Sequence, residues 1–262
     1  MTTEASNAAG IPRALAAARA AAIAEPEYWL KLVIPRSPDE PIAGQVRLDF
    51  SLAGGGDWPW LDFARETDRE RGASPIRRLT ANGRPAPWTL ADGHVRIGGG
   101  PAPPGRQRIE IDFEAGPAAL TRRPDLVYSL FVPARAHSVF PCFDQPDLKA
   151  RLELELEIPA GWEALANMPE AERTRDGERV RIRFRPTPPL PTYLLAFAAG
   201  RLRVETAIVG GPSSRSPAPT RRRRETHSTT TARPSSSCTR TRSMRSSSTR
   251  ESAIRSHASA AC

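Results

Sequence analysis

Histidine, cysteine and aromatic residues are scarce in this chain of 262 residues, and the scarcity excludes several kinds of active site. The four histidines lie so far apart that none has a second histidine within five residues, so no local pair of imidazoles can bind zinc as in a His-Glu-x-x-His helix. The three cysteines lack the spacing of a disulfide framework, which favours a reducing compartment. We therefore expect no catalytic residue, no metal ligand and no cofactor site in this chain.

Long apolar runs are also missing, since no stretch approaches the roughly 20 apolar residues that a membrane helix needs. The nearest candidate is the Ala-rich stretch 13–24, which ends in the Ala-x-Ala pattern of a signal-peptide cleavage site. Arg19 interrupts this stretch, and the leader before it is polar and acidic. We expect a short helix here, a cytoplasmic protein and no membrane partner.

The composition changes abruptly after residue 209. The whole chain carries a net charge of +9, but residues 210–262 hold eleven arginines and two acidic residues, which leaves residues 1–209 neutral. Beyond that point the only large apolar residues are Met244 and Ile254. Because such a segment buries too little surface to offset its ordering entropy, we predict a disordered Arg/Ser/Thr tail over residues 210–262.

Period-two alternation predicts β-strands from about residue 27 onward. Apolar and charged residues alternate in the segments 45–50, 108–113, 151–158 and 179–185. Turn signals such as Asn82-Gly83 separate the strands, and proline follows the glycine run 98–100, which favours a linker or hairpin loop over a phosphate loop. The sequence predicts a mostly all-β, antiparallel domain of two packed or contiguous sheets over residues 27–209, after a partly helical extension over residues 1–26.

Two predicted strands carry charged rows of opposite sign. One row is acidic and the other basic: Glu153, Glu155 and Glu157 against Arg179, Arg181, Arg183 and Arg185. Opposite-charge cross-strand pairs contribute about 0.2–1 kcal/mol each. We predict that the two strands are antiparallel neighbours, and that the glutamates pair with arginine and do not form a cation site.

Two histidines outside the tail have modest predicted roles. His94 follows the turn signal Asp92-Gly93, which predicts an exposed turn residue. His137 precedes the apolar Val139 and Phe140, which favours a packing role over catalysis.

One segment is specified more tightly than alternation requires, namely Phe140-Pro-Cys-Phe-Asp144-Gln-Pro146-Asp-Leu-Lys149-Ala150. Two prolines, two aromatic residues and an aspartate before a long strand predict a rigid turn whose rings pack inward. The segment closely resembles the Phe-Pro-Cys-Phe-Asp-Glu-Pro-x-x-Lys-Ala signature of the aminopeptidase N family of zinc metallopeptidases, the gluzincins.

The resemblance continues in the family's order through three further motifs. They are Pro159-Ala-Gly-Trp162, Ala164-Leu-Ala-Asn167-Met-Pro169 and Thr187-Pro-Pro-Leu-Pro-Thr192-Tyr-Leu-Leu-Ala-Phe197-Ala-Ala-Gly200. Together the four motifs cover residues 126–205. We take the family residues in them to be structural: Phe140, Pro141, Phe143, Asp144, Pro146, Lys149, Thr192 and Tyr193.

The resemblance implies a saddle-like β-domain that packs on a thermolysin-like zinc domain and walls its substrate cleft. The zinc then belongs to the parent enzyme, which removes amino-terminal residues from peptides, and the partners are the catalytic domain and peptide substrates. Family members usually place Gln or Glu just before the signature to hold the substrate amine. Leu130 and Val132 stand at those positions here, and we assign them to the rim of the cleft. By this interpretation the chain is a non-catalytic amino-terminal fragment that is inactive alone.

Two other function classes are compatible with the composition. The run Arg221–Arg224 can neutralise phosphates, which would make the chain a nucleic-acid binder, although the tail lacks aromatic residues for stacking and residues 1–209 are neutral. We expect no specific nucleic-acid partner. A standalone β-sandwich interaction module would need an exposed apolar patch, and the surface that a zinc domain covers could provide one.

The tail is compatible with a shift of reading frame. When each new codon takes the last base of one codon and the first two of the next, residues 246–257 permit Val-Glu-Tyr-Thr-Gly-Ile-Arg-Tyr-Pro-Phe-Pro. That string resembles the beginning of the family's catalytic domain. We hypothesise that the gene, read across codons 205–262 in the corrected frame, continues toward a His-Glu-x-x-His motif.

Overall fold

The computed structural model describes residues 11–64, 75–209 and 227–234. The helix α1 spans Arg13–Ala22, and the strands are β1 (Ile23–Val33), β2 (Ala43–Leu52), β3 (Leu61–Asp62), β4 (Ile76–Ala81), β5 (Arg84–Pro85), β6 (Trp88–Ala91), β7 (His94–Ile97), β8 (Gly105–Glu114), β9 (Leu120–Arg123), β10 (Leu126–Ser129), β11 (Arg151–Pro159), β12 (Glu163–Ala166), β13 (Glu170–Asp176), β14 (Arg179–Phe184), β15 (Phe197–Gly200), β16 (Leu202–Val209) and β17 (His227–Pro234). Single turns of 3-10 helix span Ala136–Ser138 and Thr192–Leu194. In this part of the chain, no helix has the length and apolar character needed to cross a membrane.

Eight strands form one large sheet in the order β13-β14-β11-β1-β2-β8-β4-β5. Strand β1 lies inside it, antiparallel to β2 with Tyr28 opposite Leu48, and parallel to β11 with Tyr28 opposite Leu152. The parallel pair differs from the antiparallel pairing that the sequence predicts. Parallel neighbours require a long crossover connection, and here residues 34–150 connect the end of β1 to the start of β11.

The charged rows face each other as predicted. Strands β11 and β14 are antiparallel neighbours, with Glu155 opposite Arg183 and Glu157 opposite Arg181. Lys31 of β1 adds a second basic partner, since its Nζ lies 3.6 Å from Glu155 and 3.2 Å from Glu157. Glu155 and Glu157 are therefore paired with basic residues on both sides, and the prediction that the two strands are antiparallel neighbours is confirmed.

Two smaller sheets complete the core. Strands β12-β15-β10-β9 form one of them, and β3-β7-β6 form the other. The Phe63 ring packs edge-on against Phe113 of β8, with the ring centroids 5.7 Å apart. The apolar faces of all three sheets contribute to one buried cluster. The predicted mostly all-β domain of contiguous sheets is confirmed.

Two hairpins use the turn residues that the sequence marks. Asn82 and Gly83 have φ angles of 50° and 75° between β4 and β5, and Asp92 and Gly93 have 53° and 76° between β6 and β7. Positive φ at both central residues is typical of the turns that match the twist of a hairpin. The glycine run 98–100 lies in the connection from β7 to β8, which are in different sheets, so it is a linker.

The predicted Ala-rich helix is present as α1. It continues directly into β1, because the N–H of Ile23 donates back to the carbonyl of Arg19 and the N–H of Ala53 donates to the carbonyl of Ala22. The carboxyl end of the helix is thereby tied to the large sheet.

Part of the predicted tail has strand structure. Strand β17 pairs antiparallel with β16, with Leu202 opposite Pro234 and Val209 opposite His227. This differs from the disorder predicted for residues 227–234, and the run Thr229-Thr-Thr231 explains it, because β-branched residues favour extended backbone. The remainder of the predicted tail, residues 210–226 and 235–262, lies outside the described residues.

Gly200 is required by the close approach of β15 to β10. A Cβ atom at this position would lie 2.3 Å from the carbonyl oxygen of Asp125 and 2.9 Å from the Cα of Leu126, both backbone atoms. We expect Gly200→Ala to lower the free energy of unfolding by about 1–3 kcal/mol in urea titrations, because the strands must move apart. Gly56→Ala is the control, since a Cβ there meets nothing within 4 Å. Equal stability of the two variants would contradict the prediction.

Candidate functional site

The segment with the family resemblance, residues 140–149, is called the signature loop below. It follows the 3-10 turn Ala136–Ser138 and leads into β11. Its two rings pack inward: Phe140 meets Tyr28 edge-on at 6.3 Å between centroids, and Phe143 meets Phe50 edge-on at 5.6 Å. Both phenylalanines are buried, so the predicted inward packing is confirmed.

Backbone hydrogen bonds fix the start of the loop. The N–H of Asp62 donates to the carbonyl of Cys142 at 2.7 Å, and the N–H of Cys142 donates to the carbonyl of Asp62 at 3.1 Å. The N–H of Phe143 donates to the hydroxyl of Tyr28 at 2.9 Å. Burial, reinforced by nearby Asp144 and Asp62, raises the pKa of the Cys142 thiol well above its ordinary value. Cys142 is therefore a packed core residue and has no thiolate character to support nucleophilic chemistry.

Asp144 joins the signature loop to a distant motif. Its Oδ1 accepts a hydrogen bond from the hydroxyl of Thr192 at 2.7 Å, and its Oδ2 accepts from Nδ1 of His137 at 2.6 Å and from the backbone N–H of His137 at 3.2 Å. The carboxylate is buried, and each of its oxygens accepts at least one hydrogen bond. His137 thus has the supporting role that the sequence favours.

A second buried carboxylate, Asp62, lies beside the first. Arg19 donates to both of its oxygens at 2.8 Å, Nδ1 of His94 lies 3.0 Å from Oδ1, and the backbone N–H of Asp144 donates to Oδ2 at 2.9 Å. Burial would raise the pKa of the Asp62 carboxyl, but hydrogen bonds from His94 and Arg19 together with the Arg19 charge hold it below its ordinary value.

The prediction of His94 as an exposed turn residue is wrong. Its side chain is only 17% exposed, because it begins β7 and contacts both Asp62 and the Trp60 ring. Arg19 and Asp62 were also missed as site residues by sequence reasoning, which treated Arg19 only as an interruption of the Ala-rich stretch. Its position on the same helical face as Leu15 and Ala22 was the available signal.

The remaining signature residues have different environments. Pro141 is buried, Tyr193 is half-buried, and Pro146 and Lys149 are exposed. Gln145, which stands where the family has glutamate, is buried and donates from Nε2 to the carbonyl of Ala16 at 2.9 Å. The loop therefore contacts α1 as well as the sheets.

Exposed apolar side chains lie next to the signature loop. Leu130, Val132 and Leu194, called the apolar rim below, are 53%, 54% and 46% exposed. Strands β10 and β15 pair as far as Tyr128 opposite Ala198, and at the same end of this pair Leu130 and Val132 follow β10 while Leu194 precedes β15. The rim residues thus lie along adjoining stretches of chain.

The apolar rim rests on the core of the signature loop. Phe131, between the two rim residues Leu130 and Val132, is 1% exposed and packs against Phe140 and Phe197 at 6.0 and 6.5 Å. Ser129 and Phe197 are joined by a hydrogen bond of 2.9 Å from the Phe197 N–H. The rim is thereby attached to buried, packed residues.

Metal-binding geometry is not present among the residues described. In that part of the chain no three His, Cys, Asp or Glu side chains are placed to share an ion. The two His–Asp pairs are each built into hydrogen-bond networks of the core. Among these residues, what the site offers chemically is an apolar surface.

Comparisons with known proteins give one consistent family. Residues 121–194 match the Peptidase M1 N-terminal domain. Aminopeptidase M1-A of Oryza sativa subsp. japonica is 37% identical over 78 residues, which is 30% of this chain and 9% of that protein. Aminopeptidase N of Acetobacter pasteurianus is 34% identical over 96 residues, which is 36% of this chain and 26% of that protein.

The fold is similar to that of a solved zinc metallopeptidase. The M1 zinc metallopeptidase of Deinococcus radiodurans superposes with a TM-score of 0.60 at 23% identity, over 71% of this chain and 44% of that chain. The matched region spans about a tenth to a quarter of the two curated relatives. The signature loop, Thr192 and the apolar rim all lie within the matched residues 121–194.

Proposed function

Since the chain carries the amino-terminal domain of the M1 peptidase family, we propose that it is a non-catalytic β-domain that packs on a zinc-dependent catalytic domain and walls its substrate cleft. The observation that carries the proposal is the apolar rim, Leu130, Val132 and Leu194, beside the signature loop. Exposed aliphatic side chains at one end of a strand pair are typical of a surface that a partner covers. The proposed partner is the catalytic domain of a zinc aminopeptidase, with peptides as substrates.

The support beneath the rim suits a docking surface. Interfaces are strongest where apolar anchors are held rigidly, because little side-chain entropy is then lost on association. Phe131 is fixed between Phe140 and Phe197, and Asp144 ties the loop to Thr192. The buried signature residues therefore act as structural supports of the surface and not as reacting groups.

The rim also bears on substrate recognition. Leu130 and Val132 stand where the family usually has polar residues that hold the substrate amine, and aliphatic side chains cannot accept a hydrogen bond from an ammonium group. We propose that this domain contributes apolar contacts to the cleft, and that amine recognition rests on the catalytic domain.

The proposal is tested by binding in trans. The full chain is titrated into the separately produced catalytic part of the Deinococcus radiodurans zinc metallopeptidase, and the dissociation constant is measured by calorimetry. We expect saturable binding that weakens at least about tenfold in Leu130→Lys/Val132→Lys, because two cations must then be buried at the interface.

The matched control is Val204→Lys, which changes an exposed valine in β16, outside the apolar rim. Circular dichroism confirms that each variant keeps its strands. Absence of binding by the folded wild-type chain, or equal binding by the rim variant and the control, would refute the proposed docking surface.

A further inference from the structure

Helix α1 is attached to the domain in an unusual way. Its only buried side chain is that of Arg19, which is 2% exposed. The other residues on the same face, Leu15, Ala16 and Ala22, are half-buried. Surface helices are ordinarily held by an apolar stripe, whereas this helix inserts a charge into the core.

Several groups of the domain contact the Arg19 guanidinium. Both oxygens of Asp62 accept hydrogen bonds from the guanidinium at 2.8 Å, the carbonyl of Trp60 accepts another at 2.6 Å, and the ring of Phe143 lies 5.5 Å below the cation. A bidentate hydrogen bond to a carboxylate combined with a cation–π contact binds arginine strongly. The second contact of the helix, from Gln145 to the Ala16 carbonyl, is also polar.

We propose that α1 is an electrostatic clasp: the Arg19–Asp62 ion pair holds the helix against the signature loop, and breaking the pair releases residues 11–22 while the sheets stay folded. When the helix is released, the guanidinium of Arg19 becomes hydrated. The pivot is Ile23, because the hydrogen bond from Ala53 to Ala22 keeps the carboxyl end of the helix at the large sheet.

The core survives release because Asp62 keeps two other partners. Nδ1 of His94 lies 3.0 Å from Oδ1 and the backbone N–H of Asp144 donates to Oδ2 at 2.9 Å, and neither group belongs to α1. Removing one side of a buried ion pair is strongly destabilising when the remaining charge is left uncompensated. Here these donors compensate the carboxylate, so the loss is confined to the helix.

Acid should open the clasp by protonating Asp62. The groups that face Asp62 are Arg19 from α1, His94 from β7, Tyr28 from β1, and Cys142 and Asp144 from the signature loop. The pKa of Asp62 is lowered in the closed form, so the ion pair contributes fully above the ordinary aspartate value of about 4 and is lost as the pH falls through the lowered pKa.

Hydrogen exchange of the full-length protein tests the clasp. In Arg19→Met, which keeps the length and removes the charge, we expect the amides of α1 to exchange about a hundredfold faster than in the wild type, while those of β2 and β8 are unchanged. Arg13→Met, an exposed position on the same helix, is the control and should exchange like the wild type. Arg19→Lys should be intermediate, because it keeps the charge and loses the two-pronged contact.

Two results would overturn the proposal. If α1 keeps its protection in Arg19→Met, other contacts hold the helix. If β2 and β8 lose protection together with α1, the ion pair is an ordinary part of the core. The acid effect is tested by repeating the exchange measurements over a series of pH values, with correction for intrinsic rates. An acid-induced rise in α1 exchange should occur in the wild type and be absent in Arg19→Met. A rise of equal size in both proteins would assign the acid effect to groups other than the Arg19–Asp62 pair.

Discussion

Asp144→Ala should lower the free energy of unfolding by about 3–5 kcal/mol in urea titrations. The reason is that the buried carboxylate accepts three hydrogen bonds, two from His137 and one from Thr192. Alanine would leave the buried hydroxyl of Thr192 and the partly buried N–H groups of His137 without this acceptor, and it would detach the signature loop from the turn Thr192–Leu194. Thr192→Val removes one donor and should cost about 1 kcal/mol.

The matched control is Asp147→Ala, three residues along the same loop. Asp147 is exposed, and substitutions at such positions usually change stability by less than about 0.5 kcal/mol. If the two alanine variants unfolded at the same urea concentration, Asp144 would not be the support that its hydrogen bonds indicate.

Phe140→Ala should be destabilising by about 3–5 kcal/mol, measured by calorimetry or urea titration. Phe140 has no exposed surface, and its ring contacts both Tyr28 and Phe131. Its removal leaves a cavity where the large sheet, the signature loop and the support of the apolar rim meet. We therefore expect the variant to lose binding through Leu130 and Val132 as well.

A smaller change at the same position provides the comparison. Phe140→Leu keeps most of the apolar volume and should cost less than half as much as alanine. The exposed Leu130→Ala should leave stability nearly unchanged. A Phe140→Ala protein as stable as Leu130→Ala would show that the ring does not support the rim.

The strands were predictable because their residues alternate locally. Leu152, Leu154 and Leu156 are buried on one face of β11, and Glu153 and Glu157 meet basic residues on the other, as the period of two requires. The turn at Asn82-Gly83 was predictable for a similar reason, since few residues tolerate its positive φ angles. Such features depend on near neighbours in sequence.

The parallel pairing of β1 with β11 was not predictable in this way. Alternation shows which face of a strand is buried, but it does not show which distant strand lies beside it. The Arg19–Asp62–His94 network was missed for the same reason, because its three residues come from three separate elements. A turn signal at Asp92-Gly93 says nothing about a carboxylate that approaches His94 from another strand.

The apolar rim was partly predictable. Leu130 and Val132 were named from the resemblance, and the structure places both on the surface. Leu194 was missed, since its exposure depends on the 3-10 turn Thr192–Leu194 and on the register of β10 with β15. The three residues come from two separate motifs that the pairing of β10 with β15 brings to the same end of one sheet.

The position of β1 has a consequence for how the chain folds during synthesis. On one side of β1, Glu27 pairs with Asp49, which is synthesised soon after it. On the other side, Glu27 pairs with Arg151, which is synthesised much later. Until then the hydrogen-bonding edge of β1 is open, and contacts of such long sequence separation fold slowly. The large sheet can therefore be completed only after β11 has been synthesised. A fragment limited to residues 121–194 would contain β11, its longest strand, but would lack the neighbouring strand β1.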